Sequence, residues 1–163
     1  MTAPAFTPDL DLTLQRVIHA PPAAVWRAWT DPSLLQRWWT PAPTLTRVDR
    51  LDVRPGGGFV TRMSDDGRAF VPHTDAVFIV VEEAHRLVFT NAVDSAWRPA
   101  SPSPVPMTAE IVLGEHPAGT DYTAIVRHGE PAHRTRHEQL GFFDGWGSVT
   151  AALAALVESG APS

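Results

Sequence analysis

The chain has no cysteine, which excludes disulfides, thiol nucleophiles and thiolate metal sites together. It has no run approaching the roughly 20 apolar residues that a membrane-spanning helix needs. The opening MTAPAFTPDLDL lacks a basic stretch ahead of an apolar one, so it does not read as a signal peptide, and the expected location is the cytoplasm. Positive charge is not in excess either. A formal net charge of −5 and a pI of about 5.7 argue against a general binder of nucleic acid or of anionic membranes. What is present, 44% hydrophobic and 19% charged over 163 residues, suits one soluble domain with a real core. Sixteen prolines and six tryptophans exceed the usual share, and the prolines concentrate in loops.

Leu10, Leu12 and Leu14 alternate with polar residues, the period of a half-buried strand. Pro21 and Pro22 end that strand and can open a helix carrying Val25, Trp26 and Trp29. Thr30 or Asp31 can cap a second short helix with Pro32 at its first position and Leu34, Leu35 and Trp38 on one face. Trp39 is turned about 100° from Trp38 if still helical, so Trp38 reads as core packing and Trp39 as aimed toward a cavity mouth.

Strands are then expected over 45–53, 59–63, 71–81, 86–91, 108–113 and 121–127, joined by turns at RPGGG (54–58), DDG (65–67), 82–85 and 114–120. Residues 92–106 hold four prolines and three serines, and read as an irregular loop that is either a gate or a passive surface segment. The C-terminal stretch is the clearest element. Phe142, Trp146, Val149, Leu153 and Leu156 fall on one helical face, and the helix is expected from near Ala132 to Gly160. The order is α+β: a curved antiparallel sheet of six or seven strands around one long helix, in a single domain 1–163 with its ordered core at about 9–158.

The segments RVIHAPPAAVWRAWTDPSLLQRWWTP (16–41), LDVRPGGGF (51–59), EEAHRLVFT (82–90), GTDYTAIVRH (119–128) and GFFDGWGSVTAAL (141–153) together resemble the START-like, helix-grip superfamily also called SRPBCC. Within it, the chain is similar to the bacterial single-domain relatives of the activator of the ninety-kilodalton heat-shock protein ATPase. Ala76 and Val80 stand where that family usually has a glycine and often an acidic residue. The resemblance implies a cavity between sheet and C-terminal helix, used elsewhere in the superfamily for lipids, sterols, polyketides and plant hormones.

The residues give three function classes. The first is binding of a small hydrophobic or amphipathic molecule, with Trp39, Phe59, Phe78, Phe89, Trp97, Phe142 and Trp146 providing burial and His73, Asp75, Arg127 or His137 orienting a polar group. The second is an enzyme of the polyketide cyclase/hydrolase-like branch. His73 and Asp75 share parity on the long strand and Glu110 could join them on the same face, so these three are the catalytic candidates. The third, suggested by the family name, is a module acting on a chaperone ATPase. No cofactor or metal is expected: RPGGGF leads into a strand rather than a helix, and His133 and His137, though four apart, sit beside Arg134 and Arg136. Related domains often pair as homodimers, which keeps that state open here. Glycines 141, 145 and 147 in the last helix read either as open volume or a bend beside the cavity, or as close backbone approach or a kink that follows the sheet's curvature, the latter being favoured.

Overall fold

The computed structural model describes residues 2–160; residues 1 and 161–163 of the single expected domain lie outside the described residues. Eleven elements follow in order: β1 (Asp11–Ile18), α1 (Pro22–Thr30), α2 (Pro32–Leu35), β2 (Leu45–Leu51), β3 (Gly58–Ser64), β4 (Val71–Glu82), β5 (Arg86–Thr90), β6 (Thr108–His116), β7 (Gly119–Arg127), α3 (Pro131–Gln139) and α4 (Phe142–Glu158). The strands form one open antiparallel sheet of seven, ordered β1-β7-β6-β5-β4-β3-β2. With the long C-terminal helix and the short helices after β1, this is the helix-grip fold.

Local chemistry explains the elements. Pro22 sits at the first helical position of α1, where its missing N–H is no loss. Asp31 caps α2, accepting from the Ser33 amide at 2.9 Å and the Ser33 hydroxyl at 2.7 Å, and the latter bond leads in holding its carboxyl below the usual carboxylate pKa. After Leu35 the chain continues in helical turns, with the Trp38 and Trp39 amides both donating to Leu35 O. β7 alternates without a fault, burying Thr120, Tyr122, Ala124 and Val126. The β6–β7 turn is tighter than the sequence suggests, since His116 already pairs with Gly119.

At RPGGG the three glycines have different reasons. Gly56 takes the positive φ of +82°, whereas a Cβ on Gly57 would lie 1.9 Å from the Asp52 carbonyl oxygen. Gly58 instead lies under the Arg50 side chain.

The C-terminal region is not one helix from Ala132. α3 ends at Gln139, Gly141 turns back with φ +95°, and α4 leaves at 65° to α3. No single helix among the described residues is long and apolar enough to cross a membrane. α4 lays Phe142, Leu153 and Leu156 into the core, and its last turn is tied to the end of β1 by the His19 amide, which donates to Glu158 Oε2 at 2.8 Å. Between sheet and helices lies an aromatic core: Trp29 and Trp38 meet edge-on at 4.8 Å, and Phe59 stacks on Phe78 at 5.5 Å. The Trp29 indole N–H donates to the buried Tyr122 hydroxyl. Each such ring contributes roughly 1.5–3 kcal/mol of burial.

Candidate functional site

The site arises from a mismatch in strand length. β5 ends at Thr90 opposite Val77, so β4 runs on toward its N-terminal end without a neighbour on that side. The open edge at residues 72–75, the 91–107 segment and the first turns of α4 enclose a cleft of about 530 Å³. Trp39 and Phe89 form its floor; Gly145, Trp146 and Val149 form the helix wall. The far side is Asn91, Asp94, Ala100, Pro102, Ser103, Pro104 and Met107.

Trp39 joins core to cleft. Its indole N–H donates to Thr74 Oγ1 at 3.0 Å, and its ring lies edge-on to Trp29, Trp38, Phe89 and Trp146. Only 9% of it is exposed, against 1% for Trp38, whose N–H is spent inside the core on Ala28 O. His73 is the extra residue where the β3–β4 register slips between Thr61 and Arg62. Such a bulge re-aims a side chain, and His73 reaches both Thr61 Oγ1 at 3.2 Å and the cleft. His73 is an exposed residue, yet desolvation of its ring holds its pKa below the ordinary imidazole value. Asp75 Oδ1 accepts from the Ser95 amide at 2.8 Å, tying β4 to the 91–107 segment.

That segment is held rather than loose. Asn91 Oδ1 accepts from the Met107 amide, the Ala100 amide donates to Ala92 O, Val93 bridges Pro99, and Val105 is buried. The proline-rich stretch thus forms one wall of the cleft, tied back by these bonds.

At Gly145 and Gly147 close backbone approach, part of the favoured reading, does not hold. A Cβ on Gly145 or Gly147 would meet nothing within 4 Å, so no backbone approaches closely there. At Gly145 the open space is the cleft itself.

Of the residues singled out from the sequence, the cleft gathers Trp39, His73, Asp75, Phe89 and Trp146. Phe59, Phe78 and Phe142 are fully buried in the core, because the interior between sheet and helix is packed with rings. Trp97 lies elsewhere: it is 68% exposed, at φ +63°, with its indole N–H donating to Gly56 O at 2.7 Å. His137 turns away from the cleft to donate through Nδ1 to His128 Nε2 at 2.8 Å, while His128 Nδ1 donates to Leu10 O. That polarity is forced, since a carbonyl only accepts. His133 faces Glu130 instead, at 3.6 Å.

Glu110 corrects the expected trio. Ala109 and Ile111 point into the core, so alternation sends Glu110 to the opposite face. There, 3% exposed, it accepts from Arg127 at 2.8 Å and Arg86 at 3.3 Å, and Arg127 also donates to Pro4 O. No hydrogen bond joins His73 to Asp75 among the described residues. Asn91, Asp94 and Met107 escaped the sequence reading as lining residues. Their only signal was the long proline-rich interruption before β6.

The comparisons with known proteins agree with the fold. Residues 19–158 match the family described as Activator of Hsp90 ATPase homolog 1-like protein. A crystal structure from Nitrosomonas europaea is 37% identical, covers 96% of this chain and 99% of its own, and superposes with a TM-score of 0.86. An AHSA1-like protein from Aeromonas hydrophila, solved by NMR, is 25% identical over 93% of this chain and 94% of its own, with a TM-score of 0.69. A protein from Chromobacterium violaceum is also 25% identical, over 94% of this chain and 99% of its own, with a TM-score of 0.71. No functionally curated protein matches.

Proposed function

Because the chain belongs to the Activator of Hsp90 ATPase homolog 1-like family, we propose that it binds a small apolar or amphipathic molecule in the cleft between β4, the 91–107 segment and α4. The observation that carries this reading is the open volume over Gly145. A helix interior gives up to about 1 kcal/mol by having glycine in place of alanine, and here no backbone contact accounts for the choice. What a side chain at 145 would fill is an indole-walled space of ligand size.

The test uses two glycines of the same helix. Gly145→Leu fills the cleft and abolishes the thermal shift produced by a panel of long-chain alcohols, sterols and polycyclic aromatics. Gly147→Ala, outside the cleft lining, keeps that shift and raises the midpoint of unfolding by about 0.5–1 kcal/mol in stability. Silence of the unmodified protein toward every apolar class would overturn the reading.

A further inference from the structure

We propose, resting on the binding reading above, that the ligand is an apolar amine and that the cleft discriminates against carboxylates and phosphates. The chain contains no lysine, so all thirteen basic residues are arginines, and none of them lines the cleft. Of those near the sheet's middle, Arg127 and Arg86 are committed to Glu110 on the opposite face. An anionic head group entering the cleft would find no charged donor.

It would find two carboxylates. Asp75 and Asp94 stand on different segments of the lining. Each is oriented through one oxygen: Asp75 Oδ1 accepts the Ser95 amide, and Asp94 Oδ1 accepts the Ala96 and Arg98 amides at 2.9 and 3.1 Å. The second oxygen of each takes no hydrogen bond among the described residues and is left as an acceptor. His73 adds no opposing charge near neutral pH, because desolvation favours its uncharged form.

The apolar lining has the matching shape. The rings of Trp39 and Trp146 meet at 76° with centroids 6.4 Å apart, which makes a corner of two indoles. Indole faces attract cations through the ring quadrupole, and paired faces with nearby carboxylates are a known way to hold alkylammonium groups. An amine with an apolar body thus satisfies both walls at once. A fatty acid satisfies only one.

The experiment is isothermal titration of the full chain near neutral pH with three probes that share one ring system: naphthylethylamine, naphthylethanol and naphthylacetate. The amine is expected to bind tightest and the acetate weakest, with a gap of roughly tenfold or more between them. In the double variant Asp75→Asn with Asp94→Asn, the ratio of amine to alcohol affinity is expected to fall toward one; each asparagine keeps the oxygen that accepts the backbone amides. Acetate binding as tight as the amine, or an amine preference that survives the double variant, overturns the charge selection while leaving the binding reading intact. Failure of all three probes overturns the amine selection, and only silence toward the wider apolar panel as well overturns both.

Discussion

At the scale of single residues, the His128–His137 pair is the most sensitive feature. His137 Nδ1 donates to His128 Nε2, so protonating His128 at that nitrogen turns the bond into two opposed donors. Burial, followed by the neighbouring His128, lowers the His137 pKa to about 4. For His128 burial also leads, with Asp11 opposing it and His133 and Arg134 adding to it. The folded pKa values lie below those of the unfolded chain. The stabilisation is therefore complete above the unfolded value near 6.5 and is lost as pH falls toward 4, because only the unfolded state takes up the protons. Urea unfolding at pH 7 and pH 4.5 should show a loss on the order of 1–3 kcal/mol attributable to this pair. His137→Gln, which can still donate to His128, should flatten that slope. An unchanged slope would show that other groups control it. Sequence reasoning aimed His137 at the ligand, being nearest the aromatic end of the last helix. Its true partner lies across the chain at the end of β7, a pairing that no local spacing reveals.

Among the elements, the break between α3 and α4 decides where the ligand wall stands. Gly141 closes α3, its amide donating to Glu138 O, and opens α4, its carbonyl accepting from the Gly145 amide at 2.8 Å. Its φ of +95° lies where an added Cβ is strained even though nothing crowds it. Gly141→Ala should destabilise by about 1–2 kcal/mol, read from the urea midpoint, and Gly141→Asn by less. The apolar stripe of α4 was legible, since Phe142, Leu153 and Leu156 keep helical spacing and are buried. The break was not legible, because a glycine within a helical pattern signals a weak propensity cost and not a backbone angle. The bulge at His73 escaped for a similar reason: a one-residue register slip leaves the sequence's own alternation unaltered.

Over the whole molecule, the two faces of the sheet do different work. One carries the aromatic core and the cleft; the other carries the buried Glu110 between two guanidinium groups, beneath the N-terminal segment at Pro4 and Phe6. Removing the carboxylate takes away the Arg127 partner at 2.8 Å, while Arg86 keeps its bond to Glu82 at 2.8 Å. Glu110→Ala should cost about 1–3 kcal/mol in unfolding free energy. Probe affinity at the cleft should stay unaltered, and a change there would tie the two faces together. The α+β order and the sheet were readable from alternation, turn residues and the final amphipathic helix. The cleft's position was not, because it depends on β4 outrunning β5 and on rings filling the deeper interior.

That overrun also bears on solubility. A strand edge without a neighbour is a template on which other chains can lengthen a sheet. Here the segment facing residues 72–75 across the cleft brings Pro102 and Pro104, and β4 itself carries Pro72. Proline has no amide hydrogen to offer a growing ladder. The wall that shapes a small-molecule site is thus also a guard that keeps the sheet from recruiting strands end to end.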